Sequence, residues 1–336
     1  MGGRGNGLAD YKKKQKNHLS TIVMNSISSE NGEEIHRFNV EVSESKVNEN
    51  RFCNTKCHGA GIQSPVNLED AWINLKRIRI VNPVVQCITN YVSMEFMANV
   101  LLAYGASPVM IHNEFESEEF ASSSSSLLVN VGTLTPSWII GMKVAIDATN
   151  KVNKPWVLDP VGCGVTSFRT STTLSLLEKR PTVIRGNPTE IISLYSRRVM
   201  EGTKGVDTVH TVAQAETAAL ALAIENNCVV CVTGAIDYVT DGKTIIRIHN
   251  GSPLLTKITA TGCAVTAMIA ATIACGNSPL YATAYALAYF GVAAELALER
   301  QEPVGPGTLR AILTDSIYNM TRDIFIYKAK FSIEYN

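Results

Sequence analysis

What most constrains this chain is a series of short, mostly apolar runs, each stopped by a polar residue or a glycine and separated by stretches with helical spacing. The runs cover residues 84–88, 108–111, 127–131, 156–158, 182–184 and 229–232. They are too short for helices and lack the polar alternation of half-exposed strands, so they read as strands buried on both faces. Between them, residues 91–104, 136–150, 170–178 and 212–224 carry helical patterns, and Gly105 ends the first of these. A strand, a helix and a strand within about thirty residues form a parallel crossover unit. The recurrence of that unit predicts an α/β fold with one mainly parallel sheet covered on both faces. Helices over 68–78, 280–300 and 309–320 and a hairpin-like pair around Asp241 and Gly242 complete the expectation.

Polar residues fall just after the strands: Asn130, Asp159, Arg185, Asn187, Glu190 and Thr233. Ligands of open α/β sheets bind beyond the carboxyl ends of the strands, so these side chains are expected along one rim. Any one of them alone reads as a helix cap; six such residues at four strand ends point to a site. Residues 255–275 add a further piece. There Thr259, Ala260 and Thr261 give way at Gly262 to a helix whose Ala264, Val265, Met268, Ile269 and Ile273 form a buried face. Cys263 falls on the first turn, where the free amides of residues 260–264 and the positive helix end suit a phosphate. The same field is expected to lower the thiol's pKa and make Cys263 a general base. Its bland alternative is a small apolar residue opening a core helix.

Asp159 and Glu190 are candidates for magnesium, which prefers oxygen ligands and keeps most of its waters; a capped turn and a first-turn carboxylate are the structural readings. Arg185, at a strand end, suits paired contacts to phosphate oxygens. Thr233 and Gly234 are expected to offer a hydroxyl and an amide to the same polyphosphate. The chain has no Walker-type run of glycine, lysine and serine, which sets aside a P-loop kinase. Cys228 and Cys231 bracket two valines, which directs them to opposite faces or into the core rather than to redox work. His249 and Asn250 read as a turn, and Ser122 to Ser126 as a polar connection.

With 336 residues, 46% of them hydrophobic, the chain can bury a large core. Thirty basic residues balance thirty acidic ones along the body, which leaves no electrostatic footprint for nucleic acid or an anionic membrane. Glycines and polar residues interrupt the apolar stretches, so no transmembrane helix is expected. Eight scattered cysteines without a secretory leader predict a reduced, cytoplasmic protein without disulfides. Residues 1–64 differ from the rest, being rich in Asn, Ser, Lys, Glu and Gly, and are expected to be a mostly disordered extension. Glu30, Glu33, Glu34, Glu41 and Glu44 argue against a transit peptide over the whole stretch, and organellar targeting by part of it stays open. Cys53, Cys57 and His58 are a weak metal candidate without a second ligand pair.

Several ordered motifs between Pro83 and Asn319 resemble the hydroxyethylthiazole kinase family, a thiamine-salvage branch of the ribokinase-like group. They are CITNYVSM with MAN, LLAYGASPVM, VNVGTLTPSW, LDPVGCG with FRT, TVIRGNPTEI, VTGAIDYVTDG, HNGSPLLTKITATGC, GPGTLR and DSIYN. The resemblance implies a three-layer α/β/α domain over residues 65–322, followed by a C-terminal tail at 323–336. It implies a homotrimer with active sites between subunits, and transfer of the ATP γ-phosphate to the hydroxyl of 4-methyl-5-(2-hydroxyethyl)thiazole. By motif, Cys263 stands where most ribokinase-like enzymes keep an aspartate base. Arg185 and Thr233 match ATP-contacting positions, Met110 and Ala260 match thiazole-contacting positions, and Asp159 and Glu190 match the acids linked to Mg2+. The family commonly has TGTGC, so Ala260 adds a methyl group where a glycine is usual; Cys163 stands where alanine is frequent. The rival readings on the same scaffold are an ATP-dependent dehydratase of hydrated nicotinamide cofactors, which is expected to carry an aspartate in place of Cys263, and a hydroxymethylpyrimidine kinase. A non-catalytic binding protein is the third, and intact Asp159, Arg185, Glu190 and Cys263 speak against it.

Overall fold

The structure, a computed structural model, describes residues 67–197, 210–276, 278–299 and 304–335. The expected extension over residues 1–64, with Cys53, Cys57 and His58, lies outside the described residues. The described residues open with α1 (Leu68–Val81) and run through β1 (Val84–Ile88), α2 (Met94–Tyr104), β2 (Ser107–Val109), α3 (Ser117–Ser123) and β3 (Ser126–Asn130). Next come α4 (Pro136–Lys151), β4 (Trp156–Asp159), α5 (Ser167–Leu177), β5 (Val183–Gly186), α6 (Pro188–Ser196) and α7 (Val212–Asn226). Strands β6 (Val229–Val232), β7 (Asp237–Thr240) and β8 (Thr244–Ile248) lead to α8 (Thr261–Ile273), α9 (Pro279–Leu298), α10 (Pro306–Asn319), α11 (Arg322–Lys328) and β9 (Phe331–Tyr335).

The nine strands among the described residues join one sheet in the order β2-β1-β3-β4-β5-β6-β7-β8-β9. Neighbours from β2 to β6 pair parallel, and β7, β8 and β9 add an antiparallel edge. Successive residues along β6 show why both faces are covered: Val229 and Cys231 belong to one apolar core, Val230 and Val232 to the other. Helices α1, α2, α8 and α9 pack on the first face, and α4, α6 and α7 on the second, which gives the expected three layers. Cys228 and Cys231 are divided between the two cores as their spacing predicts, and burial pushes the Cys228 thiol up to about 12. Helix α9 is long and apolar enough to cross a membrane, yet 83% of its apolar window is buried inside the fold.

Topology places the site. From β1 the chain passes through α2 to β2 on one side, whereas from β3 it proceeds through α4 to β4 on the other. Adjacent β1 and β3 therefore lead into connections that diverge, and a crevice opens beyond their carboxyl ends.

Three segments depart from expectation. The serine stretch is not a plain connection: α3 ends at Ser123, and Ser126 starts β3 with its hydroxyl donating to the Ala270 carbonyl at 2.8 Å. Helix α6, only nine residues long, was not among the expected helices; Asn187 and Glu190 close a capping box that starts it. The segment 323–336, set apart as a tail, carries most of α11 and all of β9, which pairs antiparallel with β8. Phe325 is fully buried, and Asn250 holds this segment by donating to Lys328 O at 2.8 Å and accepting from Lys330 N at 2.7 Å.

Candidate active site

Four parallel strands and one helix converge on the crevice. Asn90 follows β1, Asn130 ends β3, Asp159 ends β4, Arg185 lies near the end of β5, and Cys263 sits in the first turn of α8. Asn130 and Asp159 are register partners, so their side chains emerge together. Asn130 Nδ2 donates to Asp159 Oδ2 at 2.8 Å, and the Thr266 hydroxyl donates to the same oxygen at 3.0 Å. Asp159 Oδ1 accepts no hydrogen bond, and the Arg185 Nη1 lies 3.9 Å from it. Burial raises the Asp159 pKa against the opposing pull of Arg185, Thr266 and Asn130.

Arg185 crosses from β5 to the start of α8. A Cβ on Gly262 would stand 2.7 Å from Arg185 Nη1, so the glycine admits the guanidinium against the helix end. Positive charge and the open amides of the first turn thereby face one place, which suits a phosphate more strongly than either alone. The Ala264 amide is not part of that opening, since it donates to Ala260 O at 2.9 Å. Arg185 also donates to the Thr233 hydroxyl. The Thr233 hydroxyl lies at this corner and donates to Gly186 O at 3.5 Å, whereas the Gly234 amide is not open to a ligand, since that N–H donates to Asp237 Oδ1 at 2.9 Å.

Cys263 Sγ receives two amide donors, Asn130 Nδ2 at 3.2 Å and Asn90 Nδ2 at 3.6 Å. The expected drop in its pKa is overturned. Burial and the negative charge of Asp159 push the thiol up to about 11, against Arg185 and the two amides. At neutral pH it rests as a thiol. The field of a helix end is worth little beside the loss of water around the sulfur and a carboxylate nearby.

Glu190 is buried and engages both oxygens with backbone: Gly162 N donates to Oε1 and Asn187 N to Oε2, each at 2.8 Å. Burial and Asp159 raise its pKa to about 7. Two buried carboxyls, both raised by burial and one of them also by the other's charge, with one oxygen free of hydrogen bonds, suit a divalent cation that keeps its waters. Among the described residues no three His, Cys, Asp or Glu cluster as ligands, so the protein offers carboxylates and no closed cage.

Met110 follows β2 and Ala260 precedes α8; both are partly buried against the same core as Cys263. Ala260 has φ 68° and caps α8 in the left-handed region, the conformation for which glycine is favoured. Beside Met110, the rings of His112 and Tyr91 lie 4.6 and 4.7 Å from Trp138, giving this end an aromatic border. The structure thus gathers Asp159, Arg185, Thr233, Glu190 and Cys263 around one crevice, with Met110 and Ala260 on helix- and strand-end loops of the same rim. Sequence reading missed Thr266 and the reach of Asn90. Asn90 reads as a cap, but the N-cap of α2 is Ser93; the Oδ1 of Asn90 accepts from Val92 and Ser93 N at 3.1 Å in the turn ahead of that helix, and its nitrogen is what enters the site.

A profile of the hydroxyethylthiazole kinase family matches residues 75–323. The chain belongs to that family. Hydroxyethylthiazole kinase of Arabidopsis thaliana is 45% identical over 250 residues, 74% of this chain and 90% of that protein. The protein of that name from Cereibacter sphaeroides is 46% identical over 249 residues, covering 74% and 93% of the two chains. The structure of the hydroxyethylthiazole kinase protein from Pyrococcus horikoshii OT3 superposes with a TM-score of 0.72 at 39% identity, covering 79% of this chain and 99% of that one. A pyridoxal kinase from Staphylococcus aureus, at 16% identity and a TM-score of 0.53, shares the ribokinase-like fold alone, over 75% of this chain and 98% of its own. The family profile ends within α11, so β9 lies beyond it.

Proposed function

We propose that the protein transfers the ATP γ-phosphate to the hydroxyl of 4-methyl-5-(2-hydroxyethyl)thiazole, in thiamine salvage. The observation that carries this reading is the lodging of the Arg185 guanidinium over Gly262, which makes a phosphate cradle next to Cys263. Arg185, Thr233 and the first-turn amides of α8 hold the polyphosphate, and Met110 and Ala260 border the thiazole. Asp159, through Oδ1, and Glu190, through water, would hold Mg2+, whose charge neutralises the polyphosphate when it is bound.

Phosphoryl transfer depends on alignment and charge more than on proton removal. The fixed donors around Cys263 stabilise charge on the transferring group, and only the small thiolate fraction of Cys263 can accept the hydroxyl proton. This fits a modest base and a strong cradle. Exposed Tyr91, Val92 and Phe115 on the acceptor side support the homotrimer implied by the resemblance, with each site completed by a neighbouring subunit.

The test is ADP release by the purified full chain with ATP, Mg2+ and one acceptor at a time. Release that requires the thiazole alcohol, and is far slower with hydroxymethylpyrimidine or pyridoxal, is expected. Release indifferent to the thiazole, or dependent on a hydrated nicotinamide cofactor, would replace this function.

A further inference from the structure

We propose that Asn90 and Asn130 are positioning residues that hold the Cys263 sulfur by two amide N–H groups, Asn130 joining it to Asp159. This rests on the kinase reading and adds two residues to it. The side chain of each asparagine is satisfied at both ends. Asn90 Nδ2 donates to Asn130 Oδ1 at 2.8 Å and to Cys263 Sγ at 3.6 Å, while Asn130 Nδ2 donates to Asp159 Oδ2 at 2.8 Å and to Sγ at 3.2 Å. Asn130 Oδ1 also accepts from Gly132 N at 3.0 Å. Turning either amide over would set oxygen against sulfur and, for Asn130, against a carboxylate oxygen, so the network fixes which atom faces Cys263.

Three further facts show that the arrangement is built around the sulfur. Asn90 and Asn130 are buried, 5% and 0% exposed, where an unused amide N–H is costly, and yet each directs one at a weak acceptor. Gly132 makes room for this: a Cβ there would lie 2.6 Å from Asn90 Cβ. Finally, Cys263 alone among the described cysteines keeps partial exposure, so the sulfur has an open side that the amides do not occupy. With both amides donating, the S–H must point away from them. Asp159 and Arg185 are the charged groups facing it. An interior cysteine serving only as a small apolar residue needs none of this.

The test uses the full chain and four variants: Asn130→Ala, Asn90→Ala, Cys263→Ala and the double variant Asn130→Ala with Cys263→Ala. Asn130→Ala is expected to lower kcat about 10- to 100-fold, as loss of an orienting partner does, with KM for ATP and for the thiazole alcohol within about threefold of the parent. If the amide acts through the sulfur, the double variant is no slower than Cys263→Ala. Losses that multiply in the double variant would overturn the proposal, as would a fall confined to KM. A second readout needs no turnover: the alkylation rate of Cys263 by iodoacetamide at fixed pH, followed on its own peptide by mass spectrometry. It is expected to change at least about threefold in each asparagine variant, and an unchanged rate in both overturns the proposal. Should Asn130→Ala fail to fold, Asn90→Ala decides by the same measures. Should the parent transfer no phosphate to the thiazole, the kinase reading falls while the alkylation result still decides the placement.

Discussion

The two halves of the crevice are built differently. Beyond β4, β5 and β6 the donor half is charged, buried and tied to itself: Asp159 is fully buried, Glu190 is bound to two backbone amides, and Arg185 is lodged between Gly262 and Thr233. Beyond β1 and β2 the acceptor half is apolar and open, with Tyr91 68% and Phe115 92% exposed. A polyphosphate presents the same charges whatever the acceptor, so its half can be fixed in advance. An uncharged heteroaromatic alcohol offers little to hold except its ring, which requires apolar surface and closure from outside. Cys263 stands where the halves meet.

Five substitutions sharpen or break that division. Arg185→Ala should have the largest effect, lowering kcat about 10²- to 10³-fold, as removal of one fixed charge donor does; a smaller change than that of Cys263→Ala would show the cradle to be elsewhere. Cys263→Ala should cost less, about 10- to 100-fold at neutral pH, because a thiol held at about 11 is mostly protonated there. The sign fixes the pH profile: below that pKa the thiolate fraction rises tenfold per pH unit, so turnover should climb between about pH 7 and 9. In Cys263→Ala the climb should vanish, and a climb that persists assigns it to another group. Cys263→Asp should remain active without the same climb. Met110→Ala should raise KM for the thiazole alcohol about tenfold and leave KM for ATP alone, which steady-state kinetics with each substrate varied will show. Ala260→Gly should have the smallest effect. It relieves about 1 kcal/mol of left-handed strain and loosens the unfolded chain by a similar amount, so a thermal melt should move by only a few degrees.

The buried strands were legible because a strand covered on both faces must be apolar throughout, as in β3 and β6. Strand β9 was not, since at the antiparallel edge its Phe331 and Ile333 are only partly buried and the alternation is too short to stand out. The rim was legible from polar residues at strand ends, but their partners were not. Asn90 and Cys263 are 173 residues apart, and local sequence shows only the turn that Asn90 also holds ahead of α2. Gly262 was read as a helix hinge; the guanidinium that requires it comes from β5. The pKa of Cys263 was misjudged for the same reason: the helix end is local, whereas Asp159 and the burial come from elsewhere in the chain.

The division into halves is tested most directly by calorimetric titration of the thiazole alcohol, without nucleotide, into the Arg185→Ala protein. Independent halves predict a Kd within about threefold of the parent's. A Kd weakened tenfold or more would contradict them, because it would mean that the phosphate cradle also shapes the place where the ring is held.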